Sequence, residues 1–190
     1  MALSDQTSLM HRTALLDKLR DYQPYDQHER DMYQTLVRFV ETESECFDRG
    51  FQIGHVTGSA WIIDHSHTQA LLTHHFKLDR WLQLGGHADG DPDILRVALR
   101  EAREESGLES IRPLSDAVFD VDVHPIPARG NEPRHLHYDV RFLLEADADA
   151  PLIISSESKD LAWVSLAEIN QITGERSIAR MVAKSLEQWA

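Results

Sequence analysis

Gly85-Gly86-His87-Ala88-Asp89 opens the stretch of sequence that decides the fold, and Arg100-Glu101-Ala102-Arg103-Glu104-Glu105-Ser106-Gly107-Leu108 closes it. The first part predicts a glycine turn and the second part predicts a helix. Asp91 is the expected N-cap, with Pro92 at the first helical position, where its missing N–H costs nothing. Gly107 is the expected left-handed residue that ends the helix.

Three glutamates share one face of this predicted helix. Glu101, Glu104 and Glu105 stand at positions i, i+3 and i+4, which lie together on a helix. Like charges at this spacing destabilise an isolated helix by about 0.2–0.5 kcal/mol per pair, so we expect a compensating cation. Mg²⁺ prefers such oxygen ligands together with substrate phosphates. A solvated face with internal Arg–Glu pairs is the alternative.

The two parts of this stretch resemble the signature of the Nudix hydrolases. That signature reads Gly, five residues, Glu, seven residues, and then Arg-Glu-aliphatic-x-Glu-Glu-x-Gly-aliphatic. Gly86 matches its first glycine, and the run from Arg100 to Leu108 matches its second half at the same spacing. The first glutamate of the signature falls on Pro92, which Asp91 and Asp93 flank.

The resemblance implies an α/β (α+β) fold, a Nudix-type α/β/α sandwich with a mixed β-sheet. We expect residues 51–190 to form the hydrolase domain and residues 1–50 to form an N-terminal helical extension. Asp26 and Glu29 make a capping-box pattern for the second helix of this extension, which we expect to end at Gly50. The first helix is predicted by leucines at helical spacing, namely Leu9, Leu15, Leu16 and Leu19.

Strand-like segments follow at 56–63, 70–73, 117–126, 135–144 and 161–164, and a last helix is predicted near 176–189. Alternation gives each of the two longest strands a polar face. We expect these faces either to point to the active site or to be solvated, with His–Asp pairs between the strands. Their residues are Asp120, Asp122 and His124 on one strand, and His135, His137, Asp139 and Arg141 on the other.

By resemblance, the chain hydrolyses a diphosphate with Mg²⁺, or Mn²⁺, as cofactor. The family places its metal ions on the glutamates of the signature, here Glu101, Glu104 and Glu105, and the backbone carbonyl of Gly85 is a further candidate ligand. Arg100 stands four residues before Glu104 and is expected to orient the carboxylates. A simple helix salt bridge would describe nearly the same contact.

The base that activates water varies within the family and is often a loop glutamate outside the signature. Glu157 lies shortly before Trp163-Val164, where several members carry such a residue, and it is our first candidate. Glu132 is the alternative, and Glu101 serves if neither does. Each loop glutamate also fits a plain surface position.

Substrate recognition is predicted for five residues. Arg129 and Arg134 flank a glycine-containing loop and are expected to grip phosphate, while Gly86 lets the backbone approach it closely. His87 and His137 are expected to line the same cavity, and His124 and His135 are further candidates. The eleven histidines lack a close ligand spacing, so the sequence does not favour a zinc site.

Four functions compete. The first is a hydrolase that cleaves the diphosphate of a nucleoside diphosphate linked to another group, of the NDP-sugar or ADP-ribose type, giving NMP and a phosphorylated group. The second is a nucleoside triphosphate pyrophosphohydrolase that sanitises the nucleotide pool. The third is isopentenyl diphosphate isomerase, which needs a catalytic cysteine where this chain has only Cys46. The fourth is a non-catalytic Nudix-like nucleotide-binding module, which Pro92 favours.

Composition bounds partners and location. The net charge of −13 argues against nucleic acid as a partner, since that would need a basic surface. A single cysteine, no apolar run long enough to span a membrane and no signal peptide make the cytoplasm the expected location. We also expect a homodimer, because two amphipathic helices outside the hydrolase domain have apolar faces to bury.

Overall fold

The computed structural model describes residues 3–130 and 132–189, in five helices and eight strands. The helices are α1 (Leu3–Arg20), α2 (Gln27–Thr42), α3 (Ile94–Ser106), α4 (Ile169–Ile172) and α5 (Arg176–Gln188). The strands are β1 (Gly54–Asp64), β2 (Gln69–His75), β3 (Arg80–Leu82), β4 (Leu84–His87), β5 (Arg112–Pro113), β6 (Asp120–Ile126), β7 (His135–Ala146) and β8 (Ser158–Ser165). No helix in the described part of the chain has the length and apolar character that crossing a membrane requires.

Strand β2 pairs with three neighbours in an eight-stranded sheet. It is antiparallel to β1, β3 and β8, and its pairing with β8 runs from Gln69 opposite Ser165 to His75 opposite Ser158. The path of the sheet is β3-β2-β1-β7-β5, and β4, β6 and β8 pair with β1, β7 and β2. This mixed sheet with its helices confirms the predicted α+β class.

The apolar runs that predicted the first two strands are buried. Side chains 60–63 of β1 and 70–72 of β2 are fully inaccessible, as expected for short continuous apolar strands in a core. The indole N–H of Trp61 donates to the hydroxyl of Ser185 on α5 at 2.9 Å. This bond satisfies the polar atom of a large buried side chain and ties α5 to β1.

The described residues fall into two compact units. The first takes in everything up to Gly58, together with Gly86–Val97 and Ala117–Arg141. The second takes in Ser59–Gly85, Ala98–Asp116 and everything from Phe142 onwards. The division into a helical extension (1–50) and a hydrolase domain (51–190) stays a prediction.

In the first unit, a buried glutamate anchors helix α2. Asp26 caps the helix by accepting a hydrogen bond from the backbone N–H of Glu29 at 2.7 Å, as the capping-box pattern predicts. The Glu29 carboxylate is fully buried and accepts from the hydroxyl of Tyr22, from the N–H of Tyr25 at 2.6 Å and from the N–H of Val121 at 3.2 Å. A residue predicted as a local cap therefore also ties α2 to β6.

Helix α2 ends earlier than predicted. It stops at Thr42, and Glu43 follows with extended backbone while its N–H donates to the carbonyl of Phe39 at 2.9 Å. The prediction that Gly50 ends the helix is wrong, because the chain has already left the helix there. The apolar faces of α1 and α2 are buried within this chain at Leu15, Leu19, Leu36, Phe39 and Val40, whereas the side chain of Leu9 lies outside the described residues.

A buried ion network occupies the polar face shared by β6 and β7. Arg141, 2 % exposed, lies 3.1 Å from the carboxylate of Asp120 and 2.7 Å from that of Asp139. Thr57 donates to Asp139 at 2.9 Å. Burial by itself would lower the pKa of Arg141, but its carboxylate neighbours outweigh that effect and raise the pKa. This part of the predicted polar face is neither solvated nor free for substrate, since its charges satisfy one another in the core.

We expect Arg141→Met to destabilise the protein by about 3–5 kcal/mol, because it leaves two buried carboxylates without their cation. Chemical denaturation monitored by circular dichroism measures the change. Arg134→Met, at an exposed arginine of the same unit, is the control and should change stability by less than about 0.5 kcal/mol. Equal stability of the two variants would contradict a structural role for the network.

Candidate active site

Helix α3 begins two residues later than the sequence predicts. Its N-cap is Asp93, whose carboxylate accepts from the backbone N–H of Arg96 at 3.2 Å. Asp91 instead binds the Arg96 guanidinium, at 2.5 and 2.8 Å. The prediction of Asp91 as N-cap and Pro92 as first helical residue is therefore wrong. Asp91 and Asp93 are both suitable N-cap residues, and the tertiary structure determines which of them caps the helix.

The end of α3 is the one predicted. Gly107 has φ 72° and donates its N–H to the carbonyl of Arg103 at 2.8 Å, the left-handed termination that glycine favours. A Cβ on Gly107 would lie 2.6 Å from the Cβ of Ile153, whose own N–H donates to the carbonyl of Ser106 at 2.8 Å. The chain passing at Ile153 thus closes over the helix end.

The glycine pair lies in a strand and not in the predicted turn. Gly85 and Gly86 belong to β4, and Gly85 has φ 156°. A Cβ on Gly85 would lie 2.3 Å from the Oγ of Ser59 and 2.7 Å from its Cα. The N–H of Gly85 points to the carboxylate of Glu105, at 3.3 Å from Oε2. Glycine is therefore required here for the close approach of backbone to backbone, and that approach delivers an N–H to the signature helix.

The three signature glutamates differ in exposure. Glu104 is exposed, Glu101 is half-buried and Glu105 is 8 % exposed. The pKa of Glu105 is raised to about 8, mainly by burial and then by the charges of Glu101, Glu157 and Glu104, while the hydrogen bond from Gly85 lowers it. The donor set is thus several oxygen ligands whose negative charges oppose one another, which is the set that a hard divalent cation fits.

Arg100 pairs with its neighbour in sequence. Its Nη2 donates to Oε1 of Glu101 at 2.7 Å, and the Glu101 side chain is 17 % exposed. This contact orients one of the predicted metal-binding carboxylates.

The two candidate bases have different surroundings. Glu157 is exposed and follows a loop whose backbone is held by the N–H of Phe76, which donates to the Glu157 carbonyl at 2.8 Å. Its charge is one of those that raise the pKa of Glu105. Glu132 lies in the other unit, exposed, with a carboxylate oxygen 4.0 Å from the Arg49 guanidinium.

The predicted substrate residues all belong to the first unit. Arg129 and Arg134 are exposed, and Arg129 exchanges two backbone hydrogen bonds with Glu132 at 2.9 Å. Gly86 is half-buried in β4. His87 and His137 do come together, with ring centroids 5.1 Å apart.

Sequence analysis missed His55, which the structure adds to these histidines. Its ring lies 5.0 Å from that of His87 and 4.8 Å from that of His137. Burial, followed by the neighbouring histidines, lowers the pKa of His55 to about 4, and the same causes lower the pKa of His137 strongly. His55 precedes an apolar strand and carries no motif, so only tertiary pairing reveals it.

The NUDIX domain model matches residues 55–185, more than half of the chain. The chain belongs to the Nudix family. The predicted resemblance is thereby confirmed. No curated protein sequence matches the chain at a significant level.

Solved Nudix-type structures show the same fold. The C. elegans Ap4A hydrolase binary complex is 17 % identical over 70 % of this chain and 96 % of its own, with a TM-score of 0.57. The NUDIX domain of Shewanella oneidensis NrtR, complexed with ADP ribose, is 15 % identical over 80 % and 97 %, with a TM-score of 0.52. The E. coli dihydroneopterin triphosphate pyrophosphohydrolase is 14 % identical over 70 % and 93 %, with a TM-score of 0.53.

Membership of the Nudix family establishes the general class of reaction. The chain is a Nudix hydrolase of pyrophosphate-containing substrates, as predicted. Nudix hydrolases generally use a divalent metal ion, and the crowded carboxylates of α3 fit one.

We expect Gly85→Ala to lower kcat/KM for a pyrophosphate substrate by about 10²-fold, because the new Cβ clashes with Ser59 and shifts β4 away from Glu105. Steady-state kinetics with Mg²⁺ measure the effect. Gly174→Ala, at a glycine with open space around its missing side chain, should behave like the wild type. Full activity of Gly85→Ala would show that the Nudix site does not depend on this contact.

Proposed function

We propose that this Nudix protein is a Mg²⁺-dependent hydrolase of a nucleoside diphosphate linked to another group, of the NDP-sugar or ADP-ribose type. Water adds to one phosphorus, the bridging P–O bond breaks, and NMP and a phosphorylated group leave. The observation that carries the proposal is buried Glu105, whose pKa is raised by burial and by the charges of Glu101, Glu157 and Glu104.

The proposed metal-binding and catalytic residues all belong to the second unit. Glu101, Glu104, Glu105 and the carbonyl of Gly85 hold the metal ion, which when bound neutralises phosphoryl oxygens and activates water. Arg100 orients Glu101 through its 2.7 Å contact. Glu157 takes the proton from the attacking water, since the signature glutamates are committed to the ion. Glu101 is the base if Glu157 is not.

The nature of the substrate rests on two observations. Arg129 and Arg134 are exposed cations that suit phosphate, and Gly86 offers backbone without a side chain. The related NUDIX domain of NrtR was crystallised with ADP ribose, which supports a nucleoside diphosphate derivative. Contacts of His87 and His137 with substrate, a cytoplasmic location and a homodimer remain predictions of the sequence.

A binding module without catalysis is the second candidate, because Pro92 replaces the first glutamate of the signature. Pro92 lies before α3 and outside it. The face formed by the three helix glutamates therefore does not depend on the missing side chain. This favours an enzyme over a binding module. The helices that precede β1 favour a linked nucleoside diphosphate over a nucleoside triphosphate as the substrate.

We expect Glu104→Gln and Glu105→Gln each to lower kcat by at least about 10²-fold with the fold intact, because each removes a charged metal ligand. Phosphate-product analysis over a panel of NDP-sugars, ADP-ribose and nucleoside triphosphates measures the rates, and a chelator should abolish them. Glu109→Gln, at an exposed glutamate just past the helix, is the matched control. Near wild-type turnover in both site variants would refute the assignment.

For the base, we expect Glu157→Gln to lower kcat much more than it changes KM, with metal affinity nearly unchanged. A base works only while it is deprotonated, so the acidic limb of the pH–rate profile should flatten in this variant. If Glu132→Gln is impaired and Glu157→Gln is not, the roles are exchanged. If neither variant differs from the wild type, Glu101 is the base.

A further inference from the structure

Three histidines of the first unit meet where β1 and β7 begin. His55 is the second residue of β1, and His135 and His137 lie two residues apart on β7, so their side chains share one face of that strand. One ring nitrogen from each residue can be chosen so that all three lie within 4.8 Å of one another. We call these residues the histidine cluster.

The imidazole of His55 is buried without hydrogen bonds to its ring nitrogens. Its side chain is 2 % exposed, and neither ring nitrogen has a hydrogen-bond partner among the described residues. A buried polar group left without a partner lowers the stability of the fold. The position therefore calls for a ligand that accepts the lone pair of an imidazole.

His135 is already oriented as a metal-binding histidine is. Its Nδ1 lies 2.9 Å from the carbonyl oxygen of Pro133. A carbonyl only accepts, so Nδ1 carries the proton and, in the neutral ring, Nε2 has the free lone pair. A backbone carbonyl on the other ring nitrogen is the usual support of a metal-binding histidine. The same Nε2 lies 3.3 Å from Nε2 of His137.

That spacing is the one a tetrahedral ion imposes. Zn–N bonds of about 2.0–2.1 Å place two ligand nitrogens about 3.3–3.4 Å apart. A hydrogen bond between His135 and His137 would also explain the distance, but it would leave His55 without a partner. One ion would partner all three rings once the nitrogens, which lie within 4.8 Å of one another, draw in to this spacing.

The backbone holds the two strands close together at this point. A Cβ on Gly54, which has φ 154°, would lie 2.3 Å from the carbonyl oxygen of Leu136. Leu136 in turn donates its N–H to the carbonyl of Ile53 at 3.2 Å. Gly54 and Leu136 are direct neighbours of the cluster residues, so this contact fixes how closely His55 approaches the β7 histidines.

We propose that His55, His135 and His137 bind a Zn²⁺-type transition-metal ion that joins the start of β1 to the start of β7. Imidazole suits zinc, copper, iron and nickel, whereas Mg²⁺ requires oxygen ligands. The site is thus chemically distinct from the signature glutamates and goes beyond the proposed hydrolysis. Water or the nearby His87, whose ring lies 5.0 Å from that of His55, completes the coordination.

The test uses the full chain purified without a histidine tag and stripped with a chelator. Zn²⁺ is titrated in excess Mg²⁺, bound metal is counted by mass spectrometry, and Co²⁺ replaces Zn²⁺ to give a visible spectrum. We expect one equivalent bound, a rise in Tm, and an absorption band typical of tetrahedral nitrogen coordination. His55→Ala, His135→Ala and His137→Ala should each weaken binding by at least about 10²-fold.

His11→Ala, at an exposed histidine of α1, is the matched control and should bind like the wild type. The wild-type Co²⁺ spectrum keeps the proposal testable even if a cluster variant fails to fold. Wild-type protein that binds no Zn²⁺, or cluster variants that bind it as tightly as the control, would overturn the proposal. So would loss of Zn²⁺ binding in Glu104→Gln, which would assign the ion to the carboxylates. Wild-type protein that binds Zn²⁺ but hydrolyses no pyrophosphate substrate would overturn only the proposed function.

Discussion

Burial of the Glu105 carboxylate at the end of α3 is the constraint on which the candidate active site depends. Burial and neighbouring carboxylates raise its pKa to about 8, so its surroundings oppose its negative charge. Gly85 meets this need with an N–H that only a residue without a side chain can bring so close to Ser59. Gly107 ends the helix immediately afterwards, where Ile153 covers it. Glycine is thus required on both sides of the buried carboxylate, at Gly85 for a close backbone approach and at Gly107 for a left-handed turn.

Buried polar groups in this protein fall into two kinds. Arg141 and Glu29 are buried with several partners each, and they hold β6, β7 and α2 in place. Glu105 and His55 are buried with charges opposed or nitrogens unpaired. Because an unsatisfied buried group costs free energy, its persistence points to a ligand. The first kind explains the stability of the fold, and the second kind locates candidate binding sites.

Much of the fold could be predicted from local pattern. The signature helix, its end at Gly107 and the apolar runs of β1 and β2 lie near their predicted positions, because helix stops and apolar periodicity depend on neighbours in sequence. The start of α3 moved to Asp93 and α2 ended at Thr42, since competing caps are decided by surrounding contacts. Gly85-Gly86 became a strand because β1 pairs with it.

The sequence by itself determined the family, the coarse reaction class and the three glutamates that share a helix face, since these depend on spacing along one element. Tertiary structure alone decided which polar side chains are buried together. It buried Arg141 among aspartates on a face that alternation marked as polar. It also joined His55 to His135 and His137 across two strands distant in sequence. Strand pairing brings together residues that are far apart in sequence, and the periodicity of a single segment does not predict such contacts.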